Sequence, residues 1–251
     1  MAGEPTDQLQ LINNTTAAMN VCVLGASGGI GGSIADALAE AGHQVVRCYR
    51  RRAGNYPSPA TNDGHVIAFV ETSSLTEASA TLDTLLGSMP TDCIINAIGL
   101  GRSTHSPPNH VPIPTVDLSL QEWEEIIYLN LKLPILITKL AQKHQLRSVI
   151  HIGSALTAHG LHGTAMAQAY SASKRGLFDY CEFVNQSEHE QLTVACLAPG
   201  LVQTRMTESS GLRMLFEGEL KPETVAEWIM AVLDHDSISL SVLLPLRATS
   251  K

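Results

Sequence analysis

Tyr170 and Lys174 stand four residues apart in the string Tyr170-Ser171-Ala172-Ser173-Lys174. That spacing puts two side chains on one face of a helix. A tyrosine with a pKa near ~10 exchanges its proton poorly at neutral pH. A neighbouring ammonium favours the phenolate and lowers that pKa. A fall of about three units requires roughly 4 kcal/mol of differential stabilisation. The chemistry on offer is proton transfer to or from an oxygen. Alone, the pair reads better as an ordinary surface pair on a helix. Ser154 gives it company, because it follows an apolar run, Ser148 to Ile152, that reads as a strand. Asn130 adds to it, as a polar residue among Ile126, Ile127, Leu129, Leu131 and Leu133 that needs a reason to be there.

A second kind of chemistry lies near the start. Leu24-Gly25-Ala26-Ser27-Gly28-Gly29-Ile30-Gly31 follows one apolar run and opens a helical pattern. Glycines there let the backbone turn sharply and approach a pyrophosphate, which then sits at a helix N-terminus. The strand, turn and helix context makes dinucleotide binding the better reading than a plain turn. The end of the next strand distinguishes the two nicotinamide dinucleotides. An NAD-binding chain usually places an acid there for the ribose hydroxyls. Here Tyr49 is followed by Arg50, Arg51 and Arg52. Arginine suits the 2′-phosphate of NADP through bidentate, charge-assisted contacts. The expected cofactor is therefore NADP rather than NAD, with Arg50 the leading contact and Arg51 beside it.

The elements that must position these residues alternate along the chain. Strands are expected at Asn20–Leu24, Gln44–Tyr49, His65–Val70, Asp92–Ala97, Ser148–Ile152, Leu192–Leu197 and Leu240–Leu244. Helices are expected at Ile30–Ala41, with Gly42 as its stop, and at Glu77–Gly87, Leu120–Lys143, Ala167–Ser187 and Pro222–Leu233. Pro134 should kink the longest of them or mark a local irregularity. Regular alternation predicts an α/β chain, a single-domain Rossmann fold with a seven-stranded, doubly wound parallel sheet and helices on both faces. Ligands in such sheets bind outside the carboxyl ends of the strands. Asn96-Ala97-Ile98-Gly99, Ser154 and Pro199-Gly200-Leu201-Val202-Gln203-Thr204 all fall at such ends. Two irregular stretches, Gly99–Val116 and Gln203–Lys221, stand where they could cover a ligand.

Composition bounds the rest. Hydrophobic residues make up 44% and aromatics 4%, so Val, Ile, Leu and Ala must build the core. A net charge of -8 argues against a nucleic-acid surface. The five cysteines form no CxxC pair and read as reduced core residues of a reducing, cytoplasmic protein, with no metal site. His105, His110, His151, His159 and His162 have no ligand spacing, and polar loop or satisfied strand histidines are the default. Residues 1–19 read as a flexible polar tail, neither secretory signal nor presequence, ahead of an NADP-binding domain over 20–251. No apolar run approaches the ~20 residues of a membrane span.

Taken together, these ordered motifs resemble those of the short-chain dehydrogenase/reductase family from Asn20 to about Leu246. The resemblance implies a Ser-Tyr-Lys catalytic set assisted by an Asn. Tyr170 would exchange the proton, Lys174 would depress its pKa and hold the nicotinamide ribose, Ser154 would polarise the substrate carbonyl, and Asn130 would hold a relay water. The cofactor would lie along Gly25, Ser27, Gly29, Ile30, Gly31, Arg50, Arg51, Asn96, Ala97, Gly99, Tyr170, Lys174, Pro199, Gly200, Val202 and Thr204. Glu71 takes the place of an acid often found near the adenine. The implied activity is NADP-dependent interconversion of a carbonyl and a secondary alcohol, in a homodimer or homotetramer. A non-catalytic NADP-binding regulatory protein, or epimerisation or dehydration on the same scaffold, are the other readings. Three departures stand out: Leu24 where the family usually has Thr, a lengthened Ser154–Tyr170 interval, and the ending Val242-Leu243-Leu244-Pro245-Leu246-Arg247.

Overall fold

Short apolar runs with buried residues on both sides of the strand need cover on both faces of a sheet. The computed structural model builds such a sheet. It describes residues 17–51, 66–101, 118–155, 168–187, 192–210 and 219–233. The elements run β1 (Asn20–Leu24), α1 (Gly29–Glu40), β2 (Gln44–Arg51), β3 (Val66–Glu71), α2 (Leu75–Ser88) and β4 (Cys93–Asn96). Then come α3 (Leu120–Ile127), a π turn (Tyr128–Lys132), α4 (Leu133–Lys143), β5 (Ser148–Ile152) and α5 (Gln168–Gln186). The described part ends with β6 (Thr193–Leu197), α6 (Arg205–Ser210) and α7 (Pro222–Leu233).

The six strands pair in parallel in the order β3-β2-β1-β4-β5-β6. The expected seventh strand, Leu240–Leu244, lies outside the described residues. Alternation along β1 divides the core in two. Cys22 and Leu24 join Leu82 of α2, Ile137 of α4 and Leu177 of α5 on one face. Val21 and Val23 join Ile34 and Leu38 of α1 and Ile229 of α7 on the other. Leu24 is fully buried in the first of these clusters. All five cysteines are buried and free.

Local signals explain the ends of the helices. Gly42 at φ 89° stops α1. Its amide donates to Ala39 O and the His43 amide to Leu38 O, a Schellman ending. Ser119 and Glu122 form a capping box at the start of α3. The long helix expected over Leu120–Lys143 is interrupted by the π turn. Pro134 has no N–H to give the Asn130 carbonyl four residues back, and its ring crowds that carbonyl. Widening the turn over Tyr128–Lys132 relieves the clash, so the proline acts one turn before its own position. The stretch Gln203–Lys221, expected to be irregular, contains α6 and a bridge between Val202 and Leu220. Six residues are too few to show helical periodicity in a sequence.

Candidate functional site

The strand order reverses between β1 and β4, and a crevice opens where their following loops part. The glycine turn after β1 forms one rim. Gly25, at φ 84°, would place a Cβ 3.0 Å from the Ala97 carbonyl carbon, so the turn lies directly on the end of β4. A Cβ on Gly31 would come within 2.3 Å of the Gly25 carbonyl oxygen. Gly28, the N-cap of α1, supplies no side-chain cap. The start of α1 therefore faces the crevice with bare backbone. Gly29 sits against Thr204, whose methyl a Cβ would meet at 3.0 Å.

The cleft beside this turn brings together groups from five segments. Ile30 of α1, Ala97, Ile98 and Gly99 after β4, and Ile152, Gly153 and Ser154 at the end of β5 line it. Tyr170 and Lys174 enter from α5, and Pro199, Gly200, Val202, Thr204, Met206 and Thr207 close it after β6. The ends of β5 and β6 are laced by Gly153 N donating to Leu197 O and Ala155 N to Pro199 O. Ser154 is thereby held at the strand tip, hydrogen-bonded to the Tyr170 phenol.

Other expected residues stand elsewhere. Gly25, Ser27, Gly29 and Gly31 shape the rim without lining the cleft. Asn96 turns its side chain into the sheet, toward His151. Arg50 and Arg51 end β2 in register with Val70 and Glu71. The expected contacts of their side chains, and of Glu71, lie outside the described residues, as do His105, His110, His159 and His162.

Asn130 is wholly buried behind the cleft wall. Its Oδ1 accepts from the Leu100 amide at 2.8 Å, and its Nδ2 donates to Leu100 O at 2.9 Å and to Ser173 Oγ at 3.1 Å. The side chain therefore clamps the loop after β4 to α5. Ser173 passes the link on, donating to Tyr170 O at 2.7 Å. A Cβ on Gly99 would stand 3.4 Å from both Asn130 Oδ1 and Lys174 Nζ, an ordinary contact distance.

The charges differ from those expected of the bare Tyr–Lys pair. Lys174 is buried, and its ammonium donates to Ile152 O at 2.7 Å. Burial pushes its pKa down to about 8. Its Nζ lies 5.9 Å from the Tyr170 ring centroid. Burial raises the Tyr170 pKa above the ordinary phenol value, and the Ser154 hydrogen bond opposes that rise. The single ammonium does not outweigh desolvation.

Ile98 lay within the quoted Asn96–Gly99 motif and Thr207 within the Gln203–Lys221 stretch, but sequence reasoning missed Ile152 and Gly153 as cleft residues. Each adjoins or nearly adjoins a named one at a strand end, which was the available signal. Ser173 lay inside the quoted motif.

Residues 19–214 match the family described as short chain dehydrogenase. The chain belongs to the short-chain dehydrogenase family. A 3-oxoacyl-[acyl-carrier-protein] reductase of Synechocystis is 29% identical over 198 residues, covering 74% of this chain and 75% of the relative. Carbonyl reductase family member 4 of Danio rerio is 25% identical, covering 88% of this chain and 94% of the relative. A short-chain dehydrogenase structure from Burkholderia cenocepacia, in complex with NADP, superposes with a TM-score of 0.69 at 19% identity, covering 88% and 92% of the two chains. The last likeness is one of fold. This short-chain dehydrogenase shares its family with reductases and dehydrogenases, that is, with oxidoreductases. No helix among its described residues is long and apolar enough to cross a membrane.

Proposed function

We propose that this short-chain dehydrogenase interconverts a carbonyl and a secondary alcohol with NADP as cofactor and Tyr170 as general acid and base. The observation that carries the reading is the meeting of Ser154, Tyr170 and Lys174 in one cleft beside the glycine turn. The cradle fits a dinucleotide: Gly25 and Gly31 let the turn close tightly on the end of β4 and the start of α1, and that start has no side-chain cap. When bound, the nicotinamide takes or supplies the hydride. Tyr170 gives its phenolic proton to the substrate oxygen in reduction and recovers it in oxidation. Ser154 donates a hydrogen bond to that oxygen. Lys174 holds ribose hydroxyls, and its charge favours the phenolate. The side chain of Asn130 fixes the wall, which leaves its backbone carbonyl to hold a relay water. Ile30, Ala97, Pro199, Gly200, Val202 and Thr204 line the cofactor, Ser27 and Gly29 face its phosphates, and Arg50 with Arg51 takes the 2′-phosphate.

A cytoplasmic setting fits five free thiols. A second copy of the chain fits exposed Leu120 on α3 and Phe183 on α5, 88% and 67% accessible. The test is turnover of aldehydes, ketones and quinones by purified protein with NADPH and with NADH, alongside fluorescence titration of both cofactors. NADPH-dependent turnover is expected. Binding without turnover of any carbonyl would favour a regulatory protein instead, and binding of NADH alone would remove the role given to Arg50.

A further inference from the structure

His151 is wholly buried on β5, and none of the steps above uses it. A buried imidazole needs a partner at each nitrogen. Asn96 faces it in register from β4. The Ile98 amide donates to Asn96 Oδ1 at 3.1 Å, which fixes the oxygen end of that side chain. Asn96 Nδ2 is then turned to His151 Nδ1, 3.1 Å away. Nδ1 must therefore be the acceptor, and Nε2 carries the proton. Nε2 donates to Thr138 Oγ1 at 2.9 Å, and that hydroxyl donates to Pro134 O at 3.1 Å.

Four hydrogen bonds thus run in one sense from Ile98 to Pro134, each polarising the next. Both ends matter to the cleft. Ile98 stands between Ala97 and Gly99 in its wall. Pro134 opens α4 just past the π turn that carries Asn130. Burial, with Lys174 nearby, holds the imidazole pKa down to about 3, so the ring brings no second cation beside that ammonium.

We propose that His151 is a positioning residue for the nicotinamide site: in its Nε2–H tautomer it braces the Ala97–Gly99 wall against the helix beginning at Leu133. The ligand's identity rests on the cofactor reading above; the brace itself is a property of the chain. A residue that only stabilised the core would lower stability and leave the folded protein's affinity unchanged. A brace also changes the affinity and the motion of the wall.

The test compares His151→Leu, His151→Asn and Thr138→Val with the parent, at a temperature where circular dichroism shows all four folded. Asparagine offers an oxygen where Nδ1 stands, so it keeps the acceptor for Asn96. His151→Leu should weaken NADPH binding roughly tenfold, about the worth of one net hydrogen bond. His151→Asn and Thr138→Val keep the arm to Ile98 and cut only the arm to Pro134, so each should show an intermediate loss of about threefold. Without cofactor, hydrogen exchange of the Ile98 amide should quicken at least ~10-fold in His151→Leu and little in His151→Asn. Should His151→Leu fail to fold, His151→Gln, which moves the acceptor away from Asn96, takes its place with the same expected loss. Parental affinity and parental Ile98 exchange in the folded Leu or Gln variant would overturn the proposal. If the parent binds neither NADPH nor NADH, the cofactor reading fails, and the Ile98 exchange still decides the brace.

Discussion

Among single residues, the ones that matter most are those whose size or charge leaves no choice. Gly31 lies inside α1, where alanine is normally favoured over glycine by about 1 kcal/mol. Here the new Cβ would stand 2.3 Å from the backbone oxygen of Gly25, an atom that cannot swing aside. Overpacking of that kind costs about 1–3 kcal/mol, so it wins. Gly31→Ala should lower the thermal midpoint measured by calorimetry, and an unchanged or raised midpoint would show that the turn yields more easily than its contacts imply. Much of the cleft was readable at this scale, because Ser154, Tyr170 and Lys174, picked out by type and spacing, meet in it. The role of Asn96 was not. Its place at a strand end suggested a cofactor contact, while its side chain faces His151 and the Ile98 amide. Which way a strand-end side chain points depends on its cross-strand neighbour, and that pairing is non-local.

At the level of elements, the alternation of strands and helices was legible because most strands are short apolar runs between turn residues. Most boundaries moved by a residue or two, as at β3, expected at His65–Val70 and found at Val66–Glu71. The π turn was only half legible. Pro134 announced an irregularity, but its place depends on which carbonyl the ring crowds, and that carbonyl belongs to Asn130. The sequence thus holds a physical link between a proline and a buried polar residue four positions earlier. Helix α6 was hidden for the opposite reason: six residues with Thr204 and Thr207 exchanging hydrogen bonds carry turn chemistry and no periodicity.

For the whole molecule, the buried imidazole of His151 makes a prediction about acid. Its folded pKa of about 3 lies below the ordinary histidine value near 6.5. A depressed folded pKa means that the unfolded chain binds the proton first. The stabilisation is fully present above about pH 6.5 and is lost as the pH falls toward 3. The slope from one such group approaches about 1.4 kcal/mol per pH unit well below pH 6.5. Urea unfolding of the parent between pH 6.5 and 5 should show this loss, and His151→Leu should show a flatter profile. Equal slopes in both proteins would mean that His151 is protonated in the folded chain.

The central claim is that the Tyr170 phenol moves the proton. Steady-state reduction of a carbonyl by Tyr170→Phe, with NADPH affinity measured on the same sample, tests it most directly. The removed hydroxyl bonds to Ser154 and is the proposed proton donor to the substrate oxygen, so kcat should fall by about 10²-fold or more while NADPH binding holds. A Tyr170→Phe protein that keeps the full rate would contradict the account.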